Sequence, residues 1–497
     1  MDKEIKNSEN NSKTEEIKNR DELSGDRLAV THHKMTVNGK TFRYTATAGY
    51  LNLDIREKDK EKDETHKAKV FFISYTLDGI KDTSKRPVTF AFNGGPGCAS
   101  IWVNLGVMGP RRVVMTDVDQ VLHPPYKMED NQHTWLDFTD LVFIDPIGTG
   151  FSKTEKEKDL KKHWGVKEDL ETVAEFIRLY LSKYKRWSSP KFVAGESYGT
   201  TRAAGLSDVL HFQHGIDLNG IILISSVLNF LTHRFKNGND LPYALFLPTY
   251  TATAWYHKKL SSEYQKNLEK TLKEVEDWVI NEYIVALAKG STLSEEETQS
   301  VAQKLSDYTG LSKQYILNSN LRIKDSRFVK ELLREEKRTV GRLDSRFKGI
   351  DSDAAGESAE YDPSFSWGPF VAAINQYVRQ DLEYENDMGF VFLSNEANKS
   401  WKWDSLENDT TVNVAENLRQ SISMNPYLQV LVASGYYDLA TPYFATDYTI
   451  NHLGLDPSLE KNVQIEYFPA GHMMYYHLPS LKKMKEDVKK LHKRCLR

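Results

Sequence analysis

The chain has 497 residues, with 66 Lys and Arg against 70 Asp and Glu, a formal net charge of -4. That length holds an α/β domain of about 200–250 residues plus a large addition, and the balanced charge offers no basic stripe for nucleic acid or a membrane surface. Two cysteines, Cys98 and Cys495, exclude a disulfide framework and leave either one bridge or two free thiols.

Residues 1–30 are polar and charged, and are expected to form a disordered tail because they carry too little apolar surface to offset the entropy of ordering. The tail has no apolar stretch of secretory type, which points to the cytoplasm for the chain as it stands, and to a secreted or periplasmic protein if a presequence has been removed. From Met35 onward, residues 41–53 and 68–77 are rich in Thr, Tyr, Val and Phe and predict strands of a meander. Short buried strands are predicted at 87–92 and 141–144, the first running into Asn93-Gly94-Gly95-Pro96-Gly97. Leu170, Val173, Phe176, Ile177, Tyr180 and Leu181 recur at helical spacing over 168–184. A strand at 191–194, a helix at 200–213 and a strand at 221–225 follow. Strands alternating with helices predict a largely parallel sheet, an α/β class.

Residues 236–404 break that alternation and predict a mainly helical insertion, or cap. Helices are expected at 268–287, 325–336 and 368–382, and Ser294 with Glu297 has the spacing of a capping box. Residues 344–364, rich in Asp, Gly, Ser and Ala, predict a mobile loop. Strands resume at 428–433 and 463–468. The expected organisation is a tail at 1–30, a core at 31–235 and 405–497, and the insertion at 236–404.

Three loops carry chemistry. Gly195-Glu196-Ser197-Tyr198-Gly199 lies between a predicted strand and helix, the context of a nucleophile elbow. Small residues at 195 and 199 let strand and helix approach, and the Tyr198 N–H opens a helix whose dipole favours negative charge. A serine hydroxyl needs a base. Asp438 and His472 each follow a predicted strand, in the order Ser, Asp, His used by α/β-hydrolases, and at the strand ends where α/β sheets place their sites. The Asn93–Gly97 loop is either a plain tight turn or an oxyanion-binding backbone in which Gly95 N–H is the second donor.

These stretches together resemble the serine carboxypeptidase family. NGGPGCAS at 93–100, LGVMGP at 105–110, DPIGTGFS at 145–152, GESYGT at 195–200, GYYDLATPY at 435–443 and GHMMYYHLP at 471–479 carry the resemblance. It implies an α/β-hydrolase fold with a helical cap, and removal of single residues from peptide carboxyl termini, best at acidic pH. It implies Ser197 as nucleophile, His472 as general base and acid, and Asp438 as its orienting partner. The N–H groups of Gly95 and Tyr198 become oxyanion donors, and Asn93, the Gly94 backbone and Glu196 hold the substrate carboxylate. A Glu196 that binds a carboxylate must be protonated, since like charges repel.

The chain departs from the family pattern. Ala91 stands where members commonly have Trp, and Val107 where they often have a second Glu. Both changes bear on the carboxylate clamp: with one carboxyl instead of a pair, the acidic optimum is expected to be weaker or shifted upward. Two cysteines point to a bacterial-type member in a reducing compartment. The lost clamp groups keep a same-fold esterase or acyltransferase as an alternative, and a non-catalytic binding scaffold is a second. No metal or cofactor is expected: His472 and His477 are five apart, and neither CxxC nor HExxH occurs. The expected partner is a peptide substrate, with oligomeric state open. Aromatic clusters at 247–256 and 366–377 are either packing or a substrate pocket.

Overall fold

The computed structural model describes residues 28–56, 65–115, 118, 122–403 and 411–496, so nearly all of the expected tail lies outside the described residues. The chain forms two compact units. The first is drawn from the chain up to Val113, Lys127–Pro190 and Phe370–Trp401; the second from Val114–Tyr126, Lys191–Pro369 and Lys402 onward.

In the first unit, β1 (Ala29–Val37), β2 (Lys40–Arg56) and β3 (Thr65–Leu77) form the expected antiparallel meander. β4 (Val88–Phe92) and β5 (Asp140–Ile144) complete the order β1-β2-β3-β5-β4, with β4 and β5 parallel. Both are buried at every residue, which is why they read as unbroken apolar runs. Helix α1 (Val166–Lys183) buries all six residues picked out by helical spacing. Phe176 and Tyr180 meet Phe72 of β3 edge-on, with centroids 5.6 and 5.8 Å apart. Behind them, Asp140 is buried between Arg86 and Arg186, at 2.9 and 2.6 Å.

The second unit holds four parallel strands in the order β6 (Lys191–Glu196), β7 (Gly220–Ile224), β8 (Gln429–Gly435) and β9 (Val463–Phe468). Their register pairs Glu196 with Ile224, Ile224 with Ala433 and Ala433 with Glu466. The carboxyl ends of the strands therefore lie close to level, and the loops after them leave from one edge. Helix α2 (Tyr198–His214) follows β6 directly.

The same unit carries helices α3 (Leu247–Tyr256), α4 (Leu268–Trp278), α5 (Glu295–Thr309) and α6 (Asp325–Glu331). The capping box forms as expected, with Ser294 and Glu297 bonding each other's backbone. The helix expected over 268–287 is interrupted by a π-turn at Val279–Tyr283. Tyr250 stacks on Phe328 at 4.1 Å, and in the first unit Phe370 and Tyr377 are also fully buried, so these aromatics are packing residues.

The loop expected at 344–364 is met over residues 352–363, which are turns and bends and are exposed or half-buried. Its amino-terminal part differs: Lys348–Ile350 pairs with Arg338–Val340, and Asp344, Ser345, Arg346 and Asp351, with Ser364 at the far end, are buried. Small polar residues suggested a loop, but here each is held by tertiary hydrogen bonds that local composition does not encode. Among the described residues no helix is long and apolar enough to cross a membrane, and neither Cys98 nor Cys495 is in a disulfide.

Candidate active site

The elbow is built by backbone strain. Ser197 sits at φ 62°, ψ -130°, between the last residue of β6 and the first of α2. A non-glycine residue held there costs about 1–3 kcal/mol and persists only where its surroundings enforce it. They do: Ser197 N–H donates to Ile224 O at 2.9 Å, and Ser197 O accepts Thr200 N at 2.8 Å and Thr200 Oγ1 at 2.7 Å. Gly195 is fixed by space, since a Cβ there would stand 2.0 Å from Gly199 O. The Ser197 side chain makes no cap bond to its own helix, although serine at that position ordinarily does. Its residue is partly exposed while its neighbours are buried.

Asp438 and His472 meet. His472 Nδ1 lies 2.7 Å from Asp438 Oδ2, and both residues are buried. Asp438 Oδ1 accepts the backbone N–H groups of Ala440 and Thr441 at 2.8 and 2.9 Å, and Oδ2 accepts Thr441 Oγ1 at 2.6 Å. These donors hold the carboxylate aimed at the imidazole. With Nδ1 committed to Asp438, Nε2 is the nitrogen that can act as base. Thr441 Oγ1 also lies 3.1 Å from His472 Nδ1. Thr441 was not foreseen, because a hydroxyl three residues after an acid is too common a pattern to single out.

Ser197 and His472 are tied through β7. Ile224 O takes the Ser197 N–H, and the next residue, Ser225, donates its Oγ to His472 O at 2.7 Å. Among the described residues no hydrogen bond joins the Ser197 hydroxyl to the imidazole. Catalytic hydrogen bonds often tighten only when substrate is bound.

Burial works against a charge on His472. The Asp438 carboxylate, its hydrogen bond and the charge of Glu196 outweigh it, so His472 sits above its ordinary value of 6.5, with Arg342 opposing. Glu196, the last residue of β6, is buried. His233 also falls within electrostatic range of Asp438 and His472. Burial, then Arg342, push it down to about 4, which keeps it neutral.

The remaining candidates lie in the first unit. Asn93 and Gly94 are buried and Gly95 is exposed, with Gly95 at φ +104°. Asn93 Oδ1 accepts the Trp102 and Val103 N–H groups, both at 3.1 Å, which fixes its amide's orientation. Ala91 and Val107 are fully buried and bring no polar group. Among the described residues no cluster of His, Cys, Asp or Glu could hold a metal ion.

The serine carboxypeptidase family model matches residues 37–476. The chain is 26% identical over 236 residues to serine carboxypeptidase-like 26 of Oryza sativa subsp. japonica, covering 45% of this chain and 42% of that protein. It is 33% identical over 159 residues to the pheromone-processing carboxypeptidase KEX1 of Saccharomyces cerevisiae, covering 30% of this chain and 20% of that protein. The aligned part thus spans less than half the length of the curated relatives it matches. Among solved structures, the KEX1(DELTA)P carboxypeptidase of Saccharomyces cerevisiae superposes with a TM-score of 0.56 at 17% identity, over 90% of this chain and 91% of that one, which establishes a common α/β-hydrolase fold. With 440 consecutive positions inside one family model, the chain belongs to the serine carboxypeptidase family.

Proposed function

We propose that this protein is a serine-type carboxypeptidase that cleaves the last peptide bond of its substrates through an acyl-enzyme on Ser197. The observation that carries the reading is the 2.7 Å contact of His472 with Asp438 beside a strained Ser197 elbow. In this mechanism His472 Nε2 takes the Ser197 proton as Oγ attacks the carbonyl carbon. The resulting imidazolium is stabilised by Asp438, then gives its proton to the leaving amine. Water, deprotonated by the same imidazole, releases the acid. The Tyr198 N–H, at the amino end of a 17-residue helix, is suited to receive the oxyanion. The family resemblance assigns the second donor to Gly95, and the substrate carboxylate to Asn93, the Gly94 backbone and Glu196. Glu196 is buried; once protonated at acidic pH it can donate to that carboxylate, whereas at higher pH its charge raises the proton affinity of His472.

The test is release of the terminal amino acid from an amino-blocked dipeptide, compared with the same peptide amidated at its carboxyl end. The proposal requires release from the first and resistance of the second. Ester hydrolysis with neither peptide cleaved establishes the second reading, a same-fold esterase or acyltransferase, which the apolar Ala91 and Val107 favour, whereas equal cleavage of both peptides is amide hydrolysis that ignores the carboxylate and overturns the carboxypeptidase reading. A chain that turns over neither and resists a fluorophosphonate probe is a binding scaffold. The low cysteine count, two in 497 residues, supports a reducing compartment.

A further inference from the structure

The loops bearing Asp438 and His472 are bonded to each other and also to a third segment, residues 342–346, which lies between the two short strands of a hairpin. Leu439 N–H donates to Arg342 O at 3.0 Å, and Ser345 N–H to Tyr437 O at 2.9 Å, so both neighbours of Asp438 are held. His472 N–H donates to Leu343 O at 2.6 Å. Asp344 Oδ2 accepts the Gly471 N–H at 3.1 Å, and the Arg346 guanidinium donates to Pro469 O at 3.1 Å.

Two features single this segment out from ordinary packing. Asp344 and Arg346 form a buried forked ion pair, with Arg346 Nη2 at 2.6 Å from Oδ2 and Nε at 2.9 Å from Oδ1. Burying two charges is expensive, and such pairs add little stability over an apolar pair, but they fix geometry. Here each charged group spends a further hydrogen bond on the His472 loop. Gly471 is the second feature: a Cβ there would lie 2.4 Å from Asp344 Cα and 2.4 Å from Leu343 O. The residue before the catalytic imidazole is glycine because the segment's backbone lies directly against it.

We infer that residues 342–346 are a positioning strap, in which the Asp344–Arg346 pair clamps the His472 loop to the Asp438 loop and so sets the alignment of the two catalytic side chains. This rests on the triad assignment proposed above. Neither residue touches the reacting atoms; they act through His472. The groups facing that imidazole are Asp438 on its partner loop, Glu196 at the end of β6, Arg342 on the strap and His233 after β7. Of these, Asp438 contributes most to holding the proton, so loosening its alignment weakens the base.

The test compares Arg346→Met, Arg346→Lys and Asp344→Asn with the unaltered chain, using kcat, KM and the pH dependence of kcat/KM. Arg346→Met is expected to lower kcat by about 10- to 100-fold with KM changed less than about twofold, the size of loss a small misplacement produces. The acid limb of kcat/KM should move down by roughly half a unit to one unit as Asp438 loses its grip on the imidazole. Arg346→Lys, which keeps the charge and loses the fork, should recover part of both. Asp344→Asn is nearly isosteric and supplies the same readings where Arg346→Met folds poorly. A profile that scales with the folded fraction and keeps its midpoint overturns the strap as a positioning device. The triad fails separately: fluorophosphonate labelling that survives Ser197→Ala removes the assignment itself, whereas Ser197-dependent labelling with an unmoved midpoint removes only the strap.

Discussion

Asp438 Oδ2 and His472 Nδ1 lie 2.7 Å apart although 34 residues separate them in the chain. The contact depends on adjacent parallel strands ending nearly level, so that two loops of unrelated sequence leave the same edge. It commits Nδ1 of the imidazole to the carboxylate and raises the affinity of that ring for a proton.

The strained elbow trades stability for an exposed hydroxyl. Ser197→Ala is expected to lower kcat by a factor on the order of 10⁶ without loss of fold. Ser197→Gly should be equally inactive yet more stable by about 1 kcal/mol or more, since glycine adopts φ 62° without penalty. Denaturant melts of the two variants check this, and a glycine variant less stable than the alanine variant contradicts the strain.

A general base works only when neutral. Because Asp438 and Glu196 together lift His472 above 6.5 despite burial, turnover of a neutral ester should fall as pH drops through a value above 6.5. Glu196→Gln removes one of the lifting charges and should shift that limb downward while leaving ester kcat at its plateau within a few-fold. On peptides with a free carboxylate the same variant should keep binding at low pH and lose less of it as pH rises, because the amide donates without having to be protonated. An ester profile unmoved by Glu196→Gln argues against the electrostatic coupling.

Thr441 donates to Asp438 Oδ2 at 2.6 Å and approaches His472 Nδ1 at 3.1 Å. Thr441→Val keeps the shape and removes the hydroxyl, leaving a buried carboxylate short of one donor at a cost of about 1–3 kcal/mol. The expected result is a kcat lower by roughly tenfold, at little change in KM, with Thr441→Ser near the unaltered chain. Steady-state kinetics on the three proteins decide it.

Asp145 is buried, and burial raises its carboxyl to about 7 while the Ser100 N–H, at 2.8 Å, pulls the other way. A carboxyl that holds its proton more tightly folded than unfolded stabilises the protein most below its unfolded value near 3.8. That stability is lost as pH rises from about 4 to about 7. The Asp145 share is roughly 2–4 kcal/mol. Asp447, also raised to about 7 by burial, acts in the same direction, so both forms lose stability on going from pH 5 to pH 8. The loss should be smaller in Asp145→Asn, and equal losses show that residue 145 does not titrate in that window.

Much of the site could be read without coordinates, because its parts are local. Ser197 was identifiable from glycines at 195 and 199 between an apolar strand and a periodic helix, and the six apolar positions of α1 are the six it buries. Asp438 and His472 were identifiable from their place just beyond strands in the order Ser, Asp, His. A strand, a helix and a sharp turn each leave a mark within a few residues, since period, propensity and the demand for glycine act over that range.

Residues 342–346 left no such mark. Asp344 and Arg346 resemble any pair of surface charges, and the run that follows has the composition of a loop. Their burial, their fork and their bonds to Gly471 and Pro469 exist only once distant segments are packed together. The sequence by itself pointed to the strands, the elbow and the candidate triad residues. Tertiary structure alone decided what steadies the imidazole, because a hydrogen bond between segments more than 100 residues apart depends on where the chain returns, and local composition carries no record of that.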